Sequence, residues 1–280
     1  MSRASVSRAK YGVIGAGALS KSLIGQLPRK SLQIGPVAGV SFRVASRMAN
    51  ALRAGYAVKN ADELDAMPVI LCHAPPEQLD TVARLLETPG IRWKDKALIF
   101  CDCEPSAALL ERFDWLGAAA AVARQFGIAG SIAVHGAPAA LLCAHRIALE
   151  LRLKALEITP ASADIFNAAV TLATAALTPL VNRTATLLRA AGLRDPQAVR
   201  TATALFERTI QEFGHSGKQS WAWHVREPET ERIEAEIAAV GEPFQGIFRQ
   251  LIQSGFEDFE KHPRVARRLA TPNQPGPHPT

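Results

Sequence analysis

The chain has 280 residues, 48% apolar and 21% charged, which is enough for two folded domains and rules out wholesale disorder. Its formal net charge is +6, yet aromatics are only 6% of the chain and no stretch interleaves them with clustered Lys and Arg, so nucleic acid is not an expected partner. Four cysteines, Cys72, Cys101, Cys103 and Cys143, are too few for a disulfide framework at this length and point to reduced thiols in the cytoplasm.

Residues 1–10 are polar and basic, so no secretory signal is expected. Residues 11–15 predict a short buried strand, and residues 18–27 a helix stopped by Pro28. A second strand is expected over 37–41 and a second helix over 43–53, with Gly55 placed as its stop. Strand 69–74 opens into Pro75-Pro76 and helix 77–86; strand 97–101 leads through Pro105 into a helix to Arg112. The apolar runs 119–123 and 132–135 complete a sheet. This alternation predicts an α/β domain with a doubly wound, mostly parallel sheet.

After residues 156–158 the strand signals stop. Residues 161–191 predict one long, mostly apolar helix ended by Gly192 and kinked at Pro179. Its apolar core, 165–181, is shorter than the roughly 20 residues of a membrane span and is expected to be buried. Asp195-Pro196 predicts an N-cap followed by a helix to about Phe213, and further helices fit 229–240 and 243–261. Residues 271–280 contain four prolines and are expected to be a disordered tail.

The most informative stretch is Gly15-Ala16-Gly17-Ala18-Leu19-Ser20, between the first strand and the first helix. Gly15 permits a tight turn. Gly17 lets the backbone approach a pyrophosphate, and a helix N-terminus presents N–H groups to phosphate oxygens. Ser20 stands where a third glycine often packs helix on strand. The strand-turn-helix context makes this a dinucleotide-binding Rossmann signature. The expected division is therefore a Rossmann domain over 1–158, an all-helical domain for substrate and dimerisation over 159–270, and the tail over 271–280.

An NAD-selective domain places an acid near the end of the second strand for the ribose hydroxyls. Here Ser41, Arg43, Ser46 and Arg47 occupy that region with no acid among them. Guanidinium and hydroxyl groups suit a 2′-phosphate, so NADP(H) is the expected cofactor.

The glycine turn, Ser41-Phe42-Arg43 and the strand ending Cys72-His73-Ala74-Pro75 resemble the 6-phosphogluconate dehydrogenase-like superfamily. That superfamily includes pyrroline-5-carboxylate reductases, ketopantoate reductases, β-hydroxyacid dehydrogenases and imine reductases. The second half is most similar to uncharacterised Rossmann-like oxidoreductases with a C-terminal helical domain. Their long helix opens with a Tyr-His-Ala-Ala-like motif, here Phe166-Asn167-Ala168-Ala169. The resemblance implies cofactor contacts from Ala74 and Pro75 and a functional position at Asn167, where imine reductases carry Asp or Tyr. Asn orients a substrate by hydrogen bonding but supplies no proton, and the helix carries no Lys.

Cys72-His73, Cys101-Asp102-Cys103 and His135 also end strands and can converge on the crevice. Their spacing matches no zinc module, and no metal is expected. Residues 214–224 concentrate two His, two Ser, two Trp and a Lys, either at a cleft lip or as core anchors between helices. The expected function is an NADP(H)-dependent oxidoreductase moving hydride to or from a small C=O or C=N substrate. It is expected to be a cytoplasmic homodimer with no membrane partner. The rival is a dinucleotide-binding sensor or scaffold without turnover.

Overall fold

A computed structural model describes residues 10–19, 21–28, 33–217 and 230–258. Ser20, one of the expected cofactor contacts, lies outside the described residues, as do residues 218–224 of the stretch 214–224 and the proline-rich tail. The chain forms two compact units, Met1–Val170 and Thr171–Thr280.

The first unit is built on an eight-stranded sheet in the order β3-β2-β1-β4-β5-β6-β7-β8. The strands are β1 (Tyr11–Gly15), β2 (Ile34–Gly39), β3 (Tyr56–Ala57), β4 (Val69–His73), β5 (Ala97–Cys101), β6 (Ala119–Gln125), β7 (Ser131–Gly136) and β8 (Lys154–Glu157). Pairing is parallel throughout except between β6 and β7. The order reverses between β1 and β4, which opens a crevice at the carboxyl ends of those strands.

Alternating side chains bury two apolar layers. Val13, Leu71 and Ile99 face one layer, filled by α1 (Leu23–Gln26), α2 (Phe42–Leu52) and α5 (Pro138–Glu150). Ile14, Ile70 and Phe100 face the other, filled by α3 (Pro76–Leu86) and α4 (Ala107–Trp115).

The first helix is much shorter than residues 18–27. Ser22 accepts from the Gly25 amide at 3.3 Å and donates to the Leu19 carbonyl at 2.8 Å. The Asp102 carboxylate takes the Leu23 amide at 2.7 Å. These bonds cap the helix at Ser22 and leave residues 16–19 as an open turn.

The long apolar stretch is two helices, α6 (Ala163–Ala173) and α7 (Leu177–Ala190). Pro179 has no N–H, and its ring would collide with the carbonyl four residues earlier. The helix therefore ends and restarts with proline in the first turn of α7. The expectation of burial also fails within this one chain. No residue of α6 is buried, and Ile165 and Leu172 are each 71% exposed.

The second unit continues with α8 (Asp195–Ser216), α9 (Thr230–Val240) and α10 (Phe244–Asp258). Arg194, not Asp195, is the N-cap of α8. The Asp195 carboxylate instead pairs with Arg189 at the end of α7.

Candidate functional site

Two groups of residues gather at the carboxyl edge of the sheet. The first is the glycine turn and its neighbours. Gly15 closes β1 in register with Gly39 of β2 and His73 of β4. A Cβ on Gly15 would lie 1.8 Å from the His73 carbonyl oxygen, so only glycine lets β1 and β4 close here. The Ala16 amide donates to that same carbonyl at 2.9 Å.

Gly17 follows with φ +87°, a conformation that favours glycine. Gly17 and Ala18 are exposed and Leu19 is buried beneath them. Among the described residues, the Gly17 and Ala18 amides make no backbone hydrogen bond. Pro75 Cδ would lie 3.5 Å from a Cβ on Gly17, and Ala74 is buried beside it. Gly15, Gly17, Ala18, Leu19, Ala74 and Pro75 thus converge on one turn, as the motif requires.

Ser41, Arg43, Ser46 and Arg47 lie at the end of β2 and along the first turns of α2. Ser41 caps α2 by accepting from Val44 N at 3.3 Å. Arg43 and Arg47 are exposed and form no ion pair among the described residues. The first turn of α2 contains no acid.

This arrangement fits a phosphorylated dinucleotide. Free amide N–H groups at an exposed turn can donate to a pyrophosphate. Unpaired guanidiniums at an acid-free helix start can donate to a 2′-phosphate. Gly15, whose Cβ would collide with the His73 carbonyl, lets β1 and β4 close beneath this turn. The signature departs in one respect: α1 is a single turn whose first amide is already held by Asp102. The turn's own N–H groups, rather than a helix N-terminus, would carry the phosphate contacts.

The second group is a polar cluster that sequence reasoning only partly found. Glu104, just beyond β5, accepts from His135 Nε2 at 3.0 Å and from Arg124 Nη1 at 3.2 Å. Arg124, near the end of β6, also donates from Nη2 to Asn167 Oδ1 at 2.5 Å. Asn167 in turn hydrogen-bonds to Glu104. Burial pushes the Glu104 carboxyl up, but the bond from His135, the charges of His135 and Arg124 and the bond from Asn167 outweigh it. The carboxyl is held below its usual range.

His135 is only 4% exposed, and its Nδ1 has no hydrogen-bond partner. Facing the Glu104 carboxylate, His135 Nε2 is the donor of this bond. Phe166 packs edge-on against Phe126 at 5.2 Å between centroids, which fixes the helical turn that presents Asn167. Glu104 and Arg124 carry no motif of their own. Their only signal in the sequence is that each sits at the carboxyl end of a strand beside the crevice.

The remaining strand-end residues are structural anchors. His73 Nδ1 lies 2.8 Å from the Cys101 carbonyl. Asp102 accepts from the Leu23 and Gln125 amides at 2.7 and 2.9 Å. The Cys103 thiol donates to the Cys72 carbonyl at 3.7 Å, and the neighbouring Cys103 sulfur together with burial pushes the Cys72 thiol well up. Among the described residues no three His, Cys, Asp or Glu side chains are arranged to hold a metal ion.

No family profile matches the sequence, and no curated protein matches it. Solved structures do match in fold. A Thermotoga maritima protein aligns with a TM-score of 0.61 at 16% identity, over 93% of this chain and 100% of its own. An imine reductase from Myxococcus stipitatus, solved with NADP+, aligns at 0.57 and 16%, over 93% and 91%. A reductive aminase from Aspergillus terreus, solved with NADPH and ethyl levulinate, aligns at 0.62 and 13%, over 91% and 99%. The chain therefore shares the fold of these structures, a mostly parallel α/β sheet domain of Rossmann type followed by a helical region.

Proposed function

We propose that this chain is an NADP(H)-dependent oxidoreductase acting on a small C=O or C=N substrate, as a soluble cytoplasmic homodimer. One observation carries the reading. The exposed amides of Gly17 and Ala18 lie at the end of β1, and the unpaired Arg43 and Arg47 follow the end of its in-register neighbour β2. An imine reductase solved with NADP+ and a reductive aminase solved with NADPH and ethyl levulinate, both among the fold neighbours, support it.

When bound, a nicotinamide supplies the hydride chemistry. The protein's part is to bind, orient and screen. Gly17 and Ala18 hold the pyrophosphate, while Arg43, Arg47, Ser41 and Ser46 select the 2′-phosphate. Ala74 and Pro75 wall the turn. Asn167, fixed by Arg124 and Glu104, is the substrate-orienting group. Within the cluster His135 Nε2 donates to Glu104.

A second reading is a dinucleotide-binding sensor or scaffold without turnover. It is favoured by Asn167, whose amide carries no titratable proton and is already bonded to Arg124 and Glu104. The two readings separate in an absorbance assay for NADPH consumption over a panel of imines, amine–ketone mixtures and keto acids. Consumption with any substrate class supports the oxidoreductase. Tight NADPH binding with no consumption across the panel supports the sensor.

A further inference from the structure

The second unit contains a cavity of about 300 Å³ between α7, α8, α9 and α10. Its walls are apolar, with Leu180, Leu187, Phe206, Phe248 and Leu251 among them. Among the described residues, Arg183 is the only charged group lining it. We propose that this cavity binds an apolar monocarboxylate, with Arg183 recognising the head group and the aromatic and leucine walls holding the chain.

Arg183 is set up for an anion that the described residues do not supply. Its guanidinium lies over the Phe244 ring, 5.5 Å from the centroid. Nη2 donates to the Val240 carbonyl at the end of α9. Nε is buried and has no hydrogen-bond partner. Among the described residues Arg183 forms no ion pair.

Arg183 is half-buried, and a guanidinium partly withdrawn into apolar surroundings gains from a counter-charge. The α9 carbonyl offers only the partial negative charge of a helix end. A carboxylate offers a full charge and matches the planar fork. The apolar walls disfavour a sugar, a nucleotide or a second charge and reward an alkyl chain. The volume is at the low end for small-molecule pockets, roughly 300–1,000 Å³, which suits one short chain rather than a fused ring system. The site lies wholly within the second unit and does not depend on the reading of the crevice.

Titration calorimetry on the full chain tests this with octanoate, octan-1-ol and acetate as probes. Octanoate is expected to bind about tenfold or more tighter than octan-1-ol, with acetate too short to fill the walls. Arg183→Met is expected to remove that advantage and leave octan-1-ol unchanged. Arg183→Lys keeps the charge and retains part of the advantage. Phe248→Trp, which fills the cavity, is expected to abolish octanoate binding. Absence of octanoate binding overturns the proposal. So does equal binding of octanoate and octan-1-ol to the unmodified chain, since Arg183 would then only cap α9. Undiminished octanoate binding by folded Phe248→Trp places the ligand elsewhere and overturns it as well. If Arg183→Met fails to fold, the comparison on the unmodified chain and the Phe248→Trp result still decide.

Discussion

Arg124 Nη2 donates to Asn167 Oδ1 at 2.5 Å, tying the end of a central sheet strand to the first helix after the sheet. The other Arg124 nitrogen holds Glu104, which also accepts from buried His135. Asn167 is therefore held in place by a charged network, not free at a helix surface. Asn167→Ala should cost about 1.5–3 kcal/mol of stability, the range for hydrogen bonds to charged groups. It should also lower kcat in any NADPH-dependent reduction while leaving the NADPH Kd unchanged. Denaturant melts, steady-state kinetics and calorimetry check the three parts. An unchanged kcat in a folded Asn167→Ala protein would remove Asn167 from the reaction site.

Gly17 takes φ +87° at an exposed turn and has room around it, Pro75 Cδ being 3.5 Å from a notional Cβ. Gly17→Val should strain this turn and place a branched side chain where a pyrophosphate would lie. We expect NADPH binding to be lost while circular dichroism reports an intact fold. Tight NADPH binding by the folded variant would show that this turn is not the phosphate site.

The uncovered α6 predicts a dimer. Ile165 and Leu172 are each 71% exposed on an apolar helix with no buried residue. Such a helix needs cover on its apolar faces, and a second copy in closed symmetry is the commonest supplier. Light scattering at micromolar concentration should give about twice the chain mass of 30.1 kDa. A mass equal to one chain would contradict it, and Ile165→Glu should shift the dimer toward that mass.

Tyr11 offers a pH test of the sheet's opposite end. Burial, reinforced by the Glu150 carboxylate and opposed by Arg146, pushes its phenol up to about 12. A folded pKa above the unfolded value of about 10 means the contribution is fully present below pH 10 and is lost as pH rises through 12. The chain has two tyrosines, so a Tyr56→Phe protein isolates Tyr11. Its tyrosinate absorbance should appear only well above pH 10, together with unfolding. Ordinary titration near pH 10 in the folded state would contradict this placement.

The sheet was legible because its strands are short apolar runs flanked by Gly or Pro, as at Tyr11–Gly15 and Ala97–Cys101. The glycine turn and the acid-free start of α2 were legible because backbone geometry and phosphate charge demand particular residues there. The shortness of α1 was not. It depends on Asp102, 79 positions away from Leu23 in sequence. Helix α5 carries no strong apolar stripe to announce it, since Pro138–Glu150 buries mainly alanines. The partners of Asn167 were hidden for the same reason as Asp102: Glu104, Arg124 and His135 meet only when β5, β6 and β7 lie side by side.

The claim that this is an NADP(H) protein rests most directly on Arg43, exposed and without an ion pair among the described residues at the start of α2. Calorimetric titration of the unmodified chain and of Arg43→Ala with NADPH and NADH tests it in one experiment. The unmodified chain should bind NADPH more tightly. Arg43→Ala should weaken NADPH by about 1.5–3 kcal/mol, as for loss of a charge-assisted hydrogen bond, and leave NADH nearly unchanged. Equal affinity for both cofactors, or equal losses for both on removing Arg43, would contradict the assignment.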